Sequence, residues 1–499
     1  MALLGTKSFQ NYIGGEWVDA ASGETFESVN PANGDTIGIF PRSSSQDVDR
    51  AVAAAKAAYE EWRLVPAPKR GELLFRFAQL LADAKDELTE LMSREMGKVL
   101  AEAGGDVQEA IDMSFYMAGE GRRLVGHTTP SELRDKFNMS VRMPIGVIGV
   151  ITPWNFPIAI PSWKIAPALI CGNTIVFKPA TDTPRLGERF VELLDEAGVP
   201  KGVVNVVHGG GGEVGDALVR HPDVPVITLT GSRETGVEVM KRAAENLKHI
   251  HLELGGKNAI IVMDDADLDL AVEGIVWSAF GTSGQRCTAA SRVIVHERLY
   301  DALASRVVAA AEGLRLGAGW EEDTDVGPLI NRRAVEKVHS YTEIGRDEGA
   351  ELLTGGETPT GNAFDRGAFY RPTVFGRVEP GMRIAQEEIF GPTTALIPVA
   401  GFEEAVRAAN GVKYGLSSSI YTRDVNGAFR AMRDLDTGIT YINAGTIGAE
   451  VHLPFGGTKD TGNGHREAGQ AALDVFTEWK SIYVDYSGKL QKAQIDTAE

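Results

Sequence analysis

Short apolar segments rich in β-branched residues alternate with helical patterns along most of the chain. Before about residue 265, helices are predicted around 185–197, 215–220 and 235–247, between strands at Val147–Ile151, Thr174–Phe177, Val203–Val207, Val226–Thr230 and Ala259–Val262. Strands that are apolar on both faces and separated by helices are typical of a parallel sheet covered on both sides. The alternation returns after about residue 265, with strands near 293–295, 418–421 and 439–443, so we expect a doubly wound α/β domain followed by a second α/β lobe.

Two amphipathic helices are predicted ahead of these strands. Apolar residues recur every three or four positions between Val48 and Trp62, and again between Leu73 and Leu91, which we interpret as one longer helix. Two polar segments, 128–143 and the stretch from Phe476 onward, look extended and have no apolar core of their own. We expect both to be arms that pack on another surface.

Charge and composition exclude several classes of protein. The 499 residues carry a net charge of −19, so DNA, RNA and anionic membranes would be repelled. The most apolar stretch, 144–177, contains five prolines and Lys164, too many breaks for a membrane span, and is interpreted as buried core. Residues 1–11 show no signal-peptide pattern, and two cysteines cannot build a disulfide framework. We therefore expect a cytoplasmic protein without nucleic-acid or membrane partners.

Two glycine-rich turns follow predicted strands and open predicted helices. The first has glycines at positions 210, 212 and 215, and the second runs from Thr230 through Ser232 to Gly236. Glycine lets the backbone approach a phosphate, and a helix N-terminus attracts anions. The second turn is not a Walker A loop, because Val237 follows its last glycine. Either turn alone is equally well explained as a tight connection, but the pair favours a dinucleotide.

The two cysteines have different surroundings. Cys171 lies in an apolar run just before a predicted buried strand, which favours a role as a small buried hydrophobe. Cys287 lies among glycines and polar residues, a setting that suits an accessible thiol. A helix terminus or a neighbouring cation there would lower its pKa and raise the thiolate fraction. Cys287 is therefore the candidate nucleophile, with a structural role as the alternative.

Seven short motifs occur in order along the chain. They are PWNFP at 153–157, FKPA at 177–180, LTGS at 229–232, LELGGK at 252–257, GQRC at 284–287, EEIFGP at 387–392 and PFGG at 454–457. Together they resemble the NAD(P)-dependent aldehyde dehydrogenase superfamily, from about Tyr12 to about Val484. Any one motif is weak evidence, but seven in order with typical spacings make a chance likeness implausible.

The resemblance implies a subunit of three parts. A Rossmann-type cofactor domain is expected at residues 1–126 and 146–255, and an α/β catalytic domain at 256–456. A small β oligomerisation arm is expected at 127–145 and 475–499, where it would bridge the subunits of a homodimer or homotetramer. This arrangement would give the two polar segments a partner.

The resemblance also implies a mechanism. Cys287 would add to the carbon of a small-molecule aldehyde as a thiolate, giving a thiohemiacetal. The side-chain amide of Asn155 and the backbone N–H of Cys287 would stabilise the oxyanion. Hydride transfer to the nicotinamide would leave a thioester. Glu253 matches the general base that activates water to release the carboxylic acid.

Cofactor contacts follow from the same motifs. Lys178 matches the residue that binds the adenosine ribose, and Thr181 stands where many NAD-preferring members have glutamate. A glutamate would repel a 2′-phosphate, whereas threonine can donate a hydrogen bond to it, so we expect NADP to be accepted as well as NAD. The other expected cofactor-binding residues are Trp154, Gly211, Gly231, Ser232, Gly236, Leu254, Glu388 and Phe390.

Four residues match the lining of the family's substrate tunnel or lie beside it. Phe156, Trp163 and Phe455 would form an aromatic wall that admits aliphatic or aromatic aldehydes. Arg286, next to the candidate nucleophile, would suit the carboxylate of a semialdehyde. The alternative is that Arg286 points away from the tunnel and pairs structurally.

Three other classes of protein fit this sequence less well. A thiol hydrolase or acyltransferase would pair Cys287 with a histidine, but no histidine lies in a recognisable partner motif. A CoA-acylating dehydrogenase generally lacks the base that Glu253 matches, and a non-enzymatic homologue would be expected to lose one of the catalytic residues. No metal site is expected, because the nine histidines are scattered, with His249 and His251 the closest pair.

Overall fold

Two seven-stranded, mostly parallel sheets form the framework of the protein in a computed structural model, which describes residues 7–361 and 363–496. The strands are β1 (Asn11–Ile13), β2 (Glu16–Val18), β3 (Thr25–Val29), β4 (Thr36–Pro41), β5 (His127–Pro130), β6 (Lys136–Pro144), β7 (Val147–Ile151), β8 (Thr174–Lys178), β9 (Val204–Val206), β10 (Val226–Thr230), β11 (His249–Glu253), β12 (Asn258–Val262), β13 (Ala290–His296), β14 (Glu351–Thr354), β15 (Thr373–Gly376), β16 (Thr393–Val399), β17 (Tyr414–Gly415), β18 (Ser417–Tyr421), β19 (Ile439–Ile442), β20 (Thr458–Lys459) and β21 (Thr477–Asp485). The α-helices are α1 (Ser45–Trp62), α2 (Ala67–Asp83), α3 (Lys85–Glu95), α4 (Leu100–Glu120), α5 (Ala159–Cys171), α6 (Pro184–Glu196), α7 (Asp216–Arg220), α8 (Arg233–Ala243), α9 (Leu268–Phe280), α10 (Tyr300–Gly313), α11 (Arg332–Asp347), α12 (Arg383–Gln386), α13 (Phe402–Asn410), α14 (Val425–Asp434) and α15 (Ala472–Val475).

The first sheet has the strand order β11-β10-β7-β8-β9-β1-β2 and is parallel from β11 to β9. From β7 the chain proceeds to β8 on one side and later returns to β10 on the other. The strand order therefore reverses between β7 and β10. In open α/β sheets, ligands bind outside the carboxyl ends of the strands at such a switch point. The segments that follow these two strands, 152–155 and 231–232, lie at that position.

The second sheet has the order β14-β15-β16-β13-β12-β18-β19, and only the β14–β15 pair is antiparallel. Each sheet is packed on both faces: Phe177 and Val176 belong to different core clusters, as do Ile261 and Ile260. Successive residues of a strand point to opposite faces, so both faces are covered by apolar packing. The predicted doubly wound α/β architecture with a second α/β lobe is confirmed.

The strands predicted from the sequence are all present, with ends that differ by at most three residues. The prediction of one helix between Leu73 and Leu91 is wrong, because α2 ends at Asp83 and α3 begins at Lys85. Ala84, between them, leaves the helical region with φ −91° and ψ 6°. Leu81 and Leu88 on either side are both fully buried, so the apolar spacing continues through the break and does not reveal it.

Strand β11, at the edge of the first sheet, was not among the predicted strands. Its sequence alternates polar and apolar residues, and two of its three polar side chains, His251 and Glu253, are buried, so it lacks the apolar run that marks the other strands. The free edge of β11 is covered by a later segment: the side-chain oxygen of Asn463 accepts from the Leu252 N–H at 3.0 Å, and the Leu254 N–H donates to the Thr461 carbonyl at 2.7 Å. Covering an edge in this way satisfies its backbone groups.

A third, antiparallel sheet consists of β5, β6 and β21. It joins the two polar segments to each other, with nine paired positions between β6 and β21, from Pro144 opposite Thr477 to Lys136 opposite Asp485. Apolar side chains such as Trp479 and Tyr483 are exposed on this sheet. Its role as an oligomerisation arm stays a prediction.

The apolar stretch 144–177 forms β7, α5 and β8. Helix α5 is buried over nearly its whole length, including Lys164, which confirms the interpretation of this stretch as core. Among the described residues, no helix combines the length and apolar character needed to cross a membrane.

Candidate active site

Cys287 lies in the loop between the 3₁₀ turn Gly281–Gly284 and β13. In the 3₁₀ turn before this loop, Thr282 lies in the left-handed region, at φ 53°, and the Glu102 carboxylate accepts from the Thr282 N–H at 2.8 Å. On the other side, Asn258 Nδ2 donates to the backbone carbonyl of Cys287 at 2.7 Å. Contacts to both lobes therefore hold the thiol in place.

Two cavities meet at Cys287, and both are lined by Ile160, Thr230, Leu254 and Cys287. The larger cavity, of about 240 Å³, lies at the switch point of the first sheet, where its walls include Trp154, Asn155, Gly231, Ser232, Glu388 and Phe390. The smaller cavity, of about 110 Å³, has walls that include Glu109, Phe156, Trp163, Glu253, Arg286 and Phe455. Cys287 is thus accessible from two sides, whereas Cys171, at the end of α5, is buried and lines neither cavity.

Carboxylates dominate the electrostatic environment of the Cys287 thiol. Burial, followed by Glu388 and Glu253, raises the pKa of Cys287 to about 12. The neighbouring cation Arg286 does not offset this rise, because its Nη2 lies 3.2 Å from Glu102 Oε1. Before substrate binds, the thiol is protonated at neutral pH and needs a base to react.

Asn155 follows β7 and reaches the loop of Cys287. Its Nδ2 donates to the backbone carbonyl of Gln285 at 3.0 Å, and the side chain is almost fully buried. The amide nitrogen carries two hydrogens, so one remains for the larger cavity, which Asn155 lines. This position suits a donor to an oxyanion formed at Cys287.

Glu253 ends β11 at the wall of the smaller cavity. Its side chain is 3% exposed, and neither carboxylate oxygen has a hydrogen-bond partner in the part of the chain that the structure describes. Burial, together with the neighbouring Glu467, raises the pKa of Glu253 well above its ordinary value. Groups with such perturbed titration beside a cavity are candidates for acid–base chemistry.

Sequence reasoning missed a buried polar cluster behind Glu253, formed by His251, Lys164 and Glu467. Lys164 pairs with Glu467, and His251 Nδ1 lies 3.6 Å from Glu467 Oε1. The available signal was the alternation in β11, which puts His251 and Glu253 on the same face of the strand.

The two histidines that are closest in sequence have different surroundings in the structure. His249 is exposed and lies 3.2 Å from Glu478, whereas His251 is buried in the cluster just described. Over the ranges 7–361 and 363–496, the structure shows no group of three or more His, Cys, Asp or Glu residues that could hold a metal ion.

Most of the expected cofactor-binding residues line the larger cavity. Trp154 and Phe390 meet edge to face with ring centroids 5.5 Å apart, and Phe390 adopts φ 61°, which is unusual for an aromatic residue. Glu388 accepts from the Gly256 N–H at 2.9 Å. The other members of this group at the cavity are Gly231, Ser232 and Leu254.

The remaining expected cofactor residues lie outside the lining of this cavity. Burial lowers the pKa of Lys178 to about 8, and its Nζ donates to the Pro179 carbonyl at 2.9 Å. Thr181 is partly exposed in the turn that follows. Gly211 is exposed, and a Cβ there would meet no atom within 4 Å. A Cβ at Gly236 would lie 2.7 Å from the Leu254 side chain, so a larger residue there would require that side chain to move.

The three aromatic residues expected at the substrate tunnel all line the smaller cavity. Trp163 and Phe455 meet edge to face at 5.0 Å, and Phe156 adds a third ring. Glu109 also lines this cavity and was missed, because nothing in its helix marks it. Burial, with Asp106 nearby, raises the pKa of Glu109 to about 8.

Arg286 combines features of both alternatives. It lines the smaller cavity, but its Nε donates to Thr282 Oγ1 at 2.9 Å and its Nη2 contacts Glu102. The guanidinium carbon also lies 5.4 Å from the ring centroids of Phe156 and Trp277. Arg286 is therefore largely engaged inside the protein while one edge borders the cavity.

Comparison with known proteins establishes the family. A model of the aldehyde dehydrogenase family matches residues 17–482. The chain is 41% identical over 478 residues to α-ketoglutaric semialdehyde dehydrogenase from Bacillus subtilis (strain 168), covering 96% of this chain and 98% of that protein. It is 43% identical over 484 residues to α-ketoglutarate semialdehyde dehydrogenase from Haloferax volcanii, covering 96% of this chain and 100% of that protein.

A solved structure agrees with these matches. Betaine aldehyde dehydrogenase from Staphylococcus aureus, crystallised in complex with NAD+, has a TM-score of 0.95 and 35% identity, over 97% of this chain and 96% of that one. These matches confirm the resemblance drawn from the motifs and give no support to a thiol hydrolase, an acyltransferase or a CoA-acylating enzyme. The chain belongs to the aldehyde dehydrogenase family, and it is a non-acylating enzyme that oxidises an aldehyde to the carboxylic acid with NAD(P).

Proposed function

We propose that Cys287, Glu253 and Asn155 carry out this oxidation as nucleophile, general base and oxyanion donor. The observation that carries the proposal is the position of Cys287, where the two cavities meet. The larger cavity borders a glycine turn at the switch point of the first sheet, and the smaller cavity holds Glu253. A thiol placed there can receive an aldehyde on one side and face a dinucleotide on the other.

The larger cavity fits the nicotinamide half of the cofactor. The buried Thr230 hydroxyl on its wall has no hydrogen-bond partner among the described residues, as expected where a polar ligand binds. Ser232, at the N-terminus of α8, would hold the pyrophosphate, and Glu388 would accept from a ribose hydroxyl. When bound, the nicotinamide accepts the hydride released from the carbon attached to Cys287.

The first half of the reaction needs a proton acceptor for Cys287. Because burial raises the pKa of this thiol to about 12, it loses its proton only as the sulfur–carbon bond forms. Glu253, on the wall of the smaller cavity that Cys287 shares, takes this proton. The aldehyde oxygen then carries negative charge and accepts hydrogen bonds from the Asn155 amide and the Cys287 N–H.

The second half is hydrolysis of the thioester on Cys287. Glu253 loses the first proton to solvent and, ionised again, removes a proton from a water molecule as the water oxygen bonds to the acyl carbon. The carbon–sulfur bond breaks, the carboxylic acid leaves, and the proton held by Glu253 passes to the sulfur and restores the thiol. The raised pKa of Glu253 makes it a stronger base than an ordinary carboxylate whenever it is ionised.

For the cofactor, we propose that NADP is used as well as NAD. The support is Thr181, three residues after the buried Lys178, in place of a carboxylate that would repel a 2′-phosphate. The Staphylococcus aureus relative was crystallised with NAD+, so the nicotinamide half of the site is expected to be alike.

For the substrate, we propose a semialdehyde with a terminal carboxylate. The names of the Bacillus subtilis and Haloferax volcanii relatives support this class. In the smaller cavity, Arg286 provides positive charge. Glu109, whose pKa is raised to about 8, is mostly neutral at pH 7 and can donate a hydrogen bond to a carboxylate instead of repelling it.

The test is oxidation of an aldehyde panel by the purified protein with each cofactor. The panel pairs α-ketoglutaric, glutaric and succinic semialdehydes with uncharged aldehydes of equal chain length and with betaine aldehyde. Higher kcat/KM for the semialdehydes is expected, and identification of the free acid by NMR confirms hydrolysis. Preference for the uncharged or cationic members would overturn the substrate proposal, and absence of oxidation after Cys287→Ser is the control for the site.

Two further properties are proposed. The exposed apolar side chains on the β5–β6–β21 sheet support a homodimer or homotetramer formed through this arm. Light scattering of the whole protein and of Trp479→Glu would test this, with a smaller assembly expected for the variant. Because Cys287 must be a free thiol to react, we also propose a reducing, cytoplasmic location.

A further inference from the structure

His251 and Glu253 face the same way from β11. They are two residues apart on a strand, so their side chains leave the same face of the first sheet. Both are more than nine-tenths buried. His251 Nε2 lies 3.8 Å from Glu253 Oε1, and among the described residues neither this nitrogen nor either carboxylate oxygen has a hydrogen-bond partner. Two unpartnered polar groups therefore face each other beside the smaller cavity.

The other ring nitrogen of His251 is held by Thr228. The register of β10 and β11 pairs these two residues, and Thr228 Oγ1 lies 2.9 Å from Nδ1. The same oxygen receives a hydrogen bond from Lys164 Nζ at 3.0 Å. An ammonium group only donates, so Lys164 occupies one lone pair of Thr228 Oγ1 and the hydroxyl proton is free to donate to Nδ1. In this arrangement the ring proton of His251 is on Nε2, the nitrogen that faces Glu253.

Burial and two neighbouring basic groups keep the His251 ring neutral. Lys164 faces it from α5, and His465 faces it from the segment before α15, with ring centroids 5.8 Å apart. Burial, followed by these two groups, lowers the pKa of His251 well below its ordinary value of 6.5. Glu467, 3.6 Å from Nδ1, pairs with Lys164 and does not reverse this.

Both positively and negatively charged side chains surround Glu253. Burial and Glu467 raise its pKa, while Lys164 and Arg466 act in the opposite direction without cancelling the rise. The Cys287 thiol lies across the smaller cavity. A buried carboxylate without a hydrogen-bond donor is strongly disfavoured in its ionised form, which is the form the general base requires.

We propose that His251 is a positioning residue whose Nε2–H closes on the Glu253 carboxylate and stabilises its ionised form. The inference deepens the proposed function and rests on the role given there to Glu253. A movement of about 1 Å brings the two atoms from 3.8 Å into hydrogen-bond range. A neutral ring suits this task, because it donates one hydrogen bond without a full positive charge that would weaken the base.

The test isolates thioester hydrolysis from the redox step. The thiolate of Cys287 attacks 4-nitrophenyl acetate, 4-nitrophenolate leaves, and the acetyl-enzyme is the same kind of thioester that aldehyde oxidation produces. Acetyl-enzyme is formed without cofactor, separated from reagent, and quenched with acid at intervals across a range of pH. Loss of the acetyl group, measured by intact-mass spectrometry, gives the hydrolysis rate at each pH. The acid limb of this profile is the pH range in which the rate falls as the pH is lowered.

Two substitutions of His251 each place an amide nitrogen near the position of one of its two ring nitrogens. His251→Gln puts its amide near the position of Nε2, where it can donate to Glu253. His251→Asn puts its amide near the position of Nδ1, facing Thr228. His249→Gln, on the same strand but exposed, is the matched control.

The acid limb of His251→Asn is expected to move to higher pH by roughly one unit, because one hydrogen bond to the carboxylate is lost. The rate should rejoin wild type above that limb. His251→Gln and His249→Gln should keep limbs close to wild type. If His251→Asn does not fold, Thr228→Val, which removes the hydroxyl that fixes the tautomer, should shift the limb in the same direction by a smaller amount.

A wild-type limb in His251→Asn, or an equal loss of rate at every pH in both His251 variants, would overturn the inference. Glu253→Gln, measured in parallel, separates this from the proposed function. If Glu253→Gln hydrolyses at the wild-type rate, the role of Glu253 fails. If it is slow while the limb of His251→Asn does not move, only the role of His251 fails.

Discussion

The side-chain amide of Asn155 donates to the backbone carbonyl of Gln285 over 3.0 Å, two residues before Cys287. Asn155 follows β7 of the first sheet, and Gln285 precedes β13 of the second, so this hydrogen bond joins the two lobes beside Cys287. The bond also orients the amide, because one of its two hydrogens is committed to the carbonyl. The remaining hydrogen is thereby fixed before substrate arrives, which is what stabilisation of a developing charge requires.

Asn155→Ala should lower kcat about 100- to 1,000-fold, the usual effect of removing one oxyanion donor. KM should change much less, because the donor acts mainly on charge that develops in the transition state. Steady-state kinetics with one aldehyde and saturating cofactor measure both constants. Asn155→Gln, which keeps the amide but displaces it, should be impaired as well. A kcat within threefold of wild type for Asn155→Ala would contradict the assignment.

Cys287→Ala should abolish aldehyde oxidation while leaving the fold intact, since its side chain borders two cavities rather than the core. Cys171→Ala is the matched control, because it removes the only other thiol of the chain. This control should keep its activity but lose some thermal stability, because Cys171 is packed in the main core cluster. Activity assays with melting temperatures measure both effects. Retained turnover in Cys287→Ala, or a loss beyond tenfold in Cys171→Ala, would show that the thiols are misassigned.

Glu253→Gln should separate thioester formation from hydrolysis. A burst of reduced cofactor close to one per subunit should remain, and the steady rate should fall by about 100-fold or more, as expected for loss of a general base. The burst should also be slower near neutral pH, because burial and nearby carboxylates raise the pKa of Cys287 to about 12 and the remaining base is solvent. Stopped-flow absorbance of the reduced nicotinamide follows both phases. Loss of the burst itself at all pH values would contradict this separation, because it would mean that no thioester forms without Glu253.

The free energy of unfolding should depend on pH through Glu253. Burial and Glu467 raise the pKa of Glu253 well above 4.5 in the folded state. In the pH range between 4.5 and this raised pKa, the folded protein therefore binds more protons than the unfolded chain. Its contribution to the free energy of unfolding therefore falls as pH rises through this window. Glu253→Gln should melt at a higher temperature than wild type, with a difference that grows from pH 5 to pH 8. Calorimetry at several pH values measures the difference, and a constant or shrinking difference would contradict the buried, unpartnered carboxylate.

The parts of the fold that could be predicted are those that depend on the pattern of neighbouring residues along the chain. Strands such as Asn258–Val262 were predictable because both faces are apolar, and that pattern is visible without knowledge of the residues packed against it. The break at Ala84 was not predictable, because buried leucines continue on both sides of it. Motif resemblance named Cys287, Glu253 and Asn155, but the roles of these residues depend on which groups surround them in space.

The electrostatics of the site could not be predicted for the same reason. Arg286 is adjacent to Cys287 in sequence, yet its guanidinium contacts Glu102 on α4, and burial followed by nearby carboxylates raises the pKa of the thiol. Lys164 and Glu467 are 303 positions apart and meet only in the fold. Long-range pairs of this kind leave no local sequence pattern, so the burial of Glu253 and the charges around it could be determined only from the structure.

Thr181→Glu should shift cofactor selectivity towards NAD. A carboxylate at this position, three residues after the buried Lys178, would repel a 2′-phosphate and accept a hydrogen bond from a 2′-hydroxyl. The ratio of kcat/KM for NADP to that for NAD should fall by about tenfold or more, which corresponds to roughly 1.4 kcal/mol of added discrimination. Thr181→Ser keeps the hydroxyl without the charge and should leave the ratio near that of wild type. Because Thr181 is partly exposed and outside the lining of both cavities, the hydride-transfer burst with saturating NAD should be unchanged. A wild-type enzyme that strongly prefers NAD, together with an unchanged ratio in Thr181→Glu, would show that this turn does not select the cofactor.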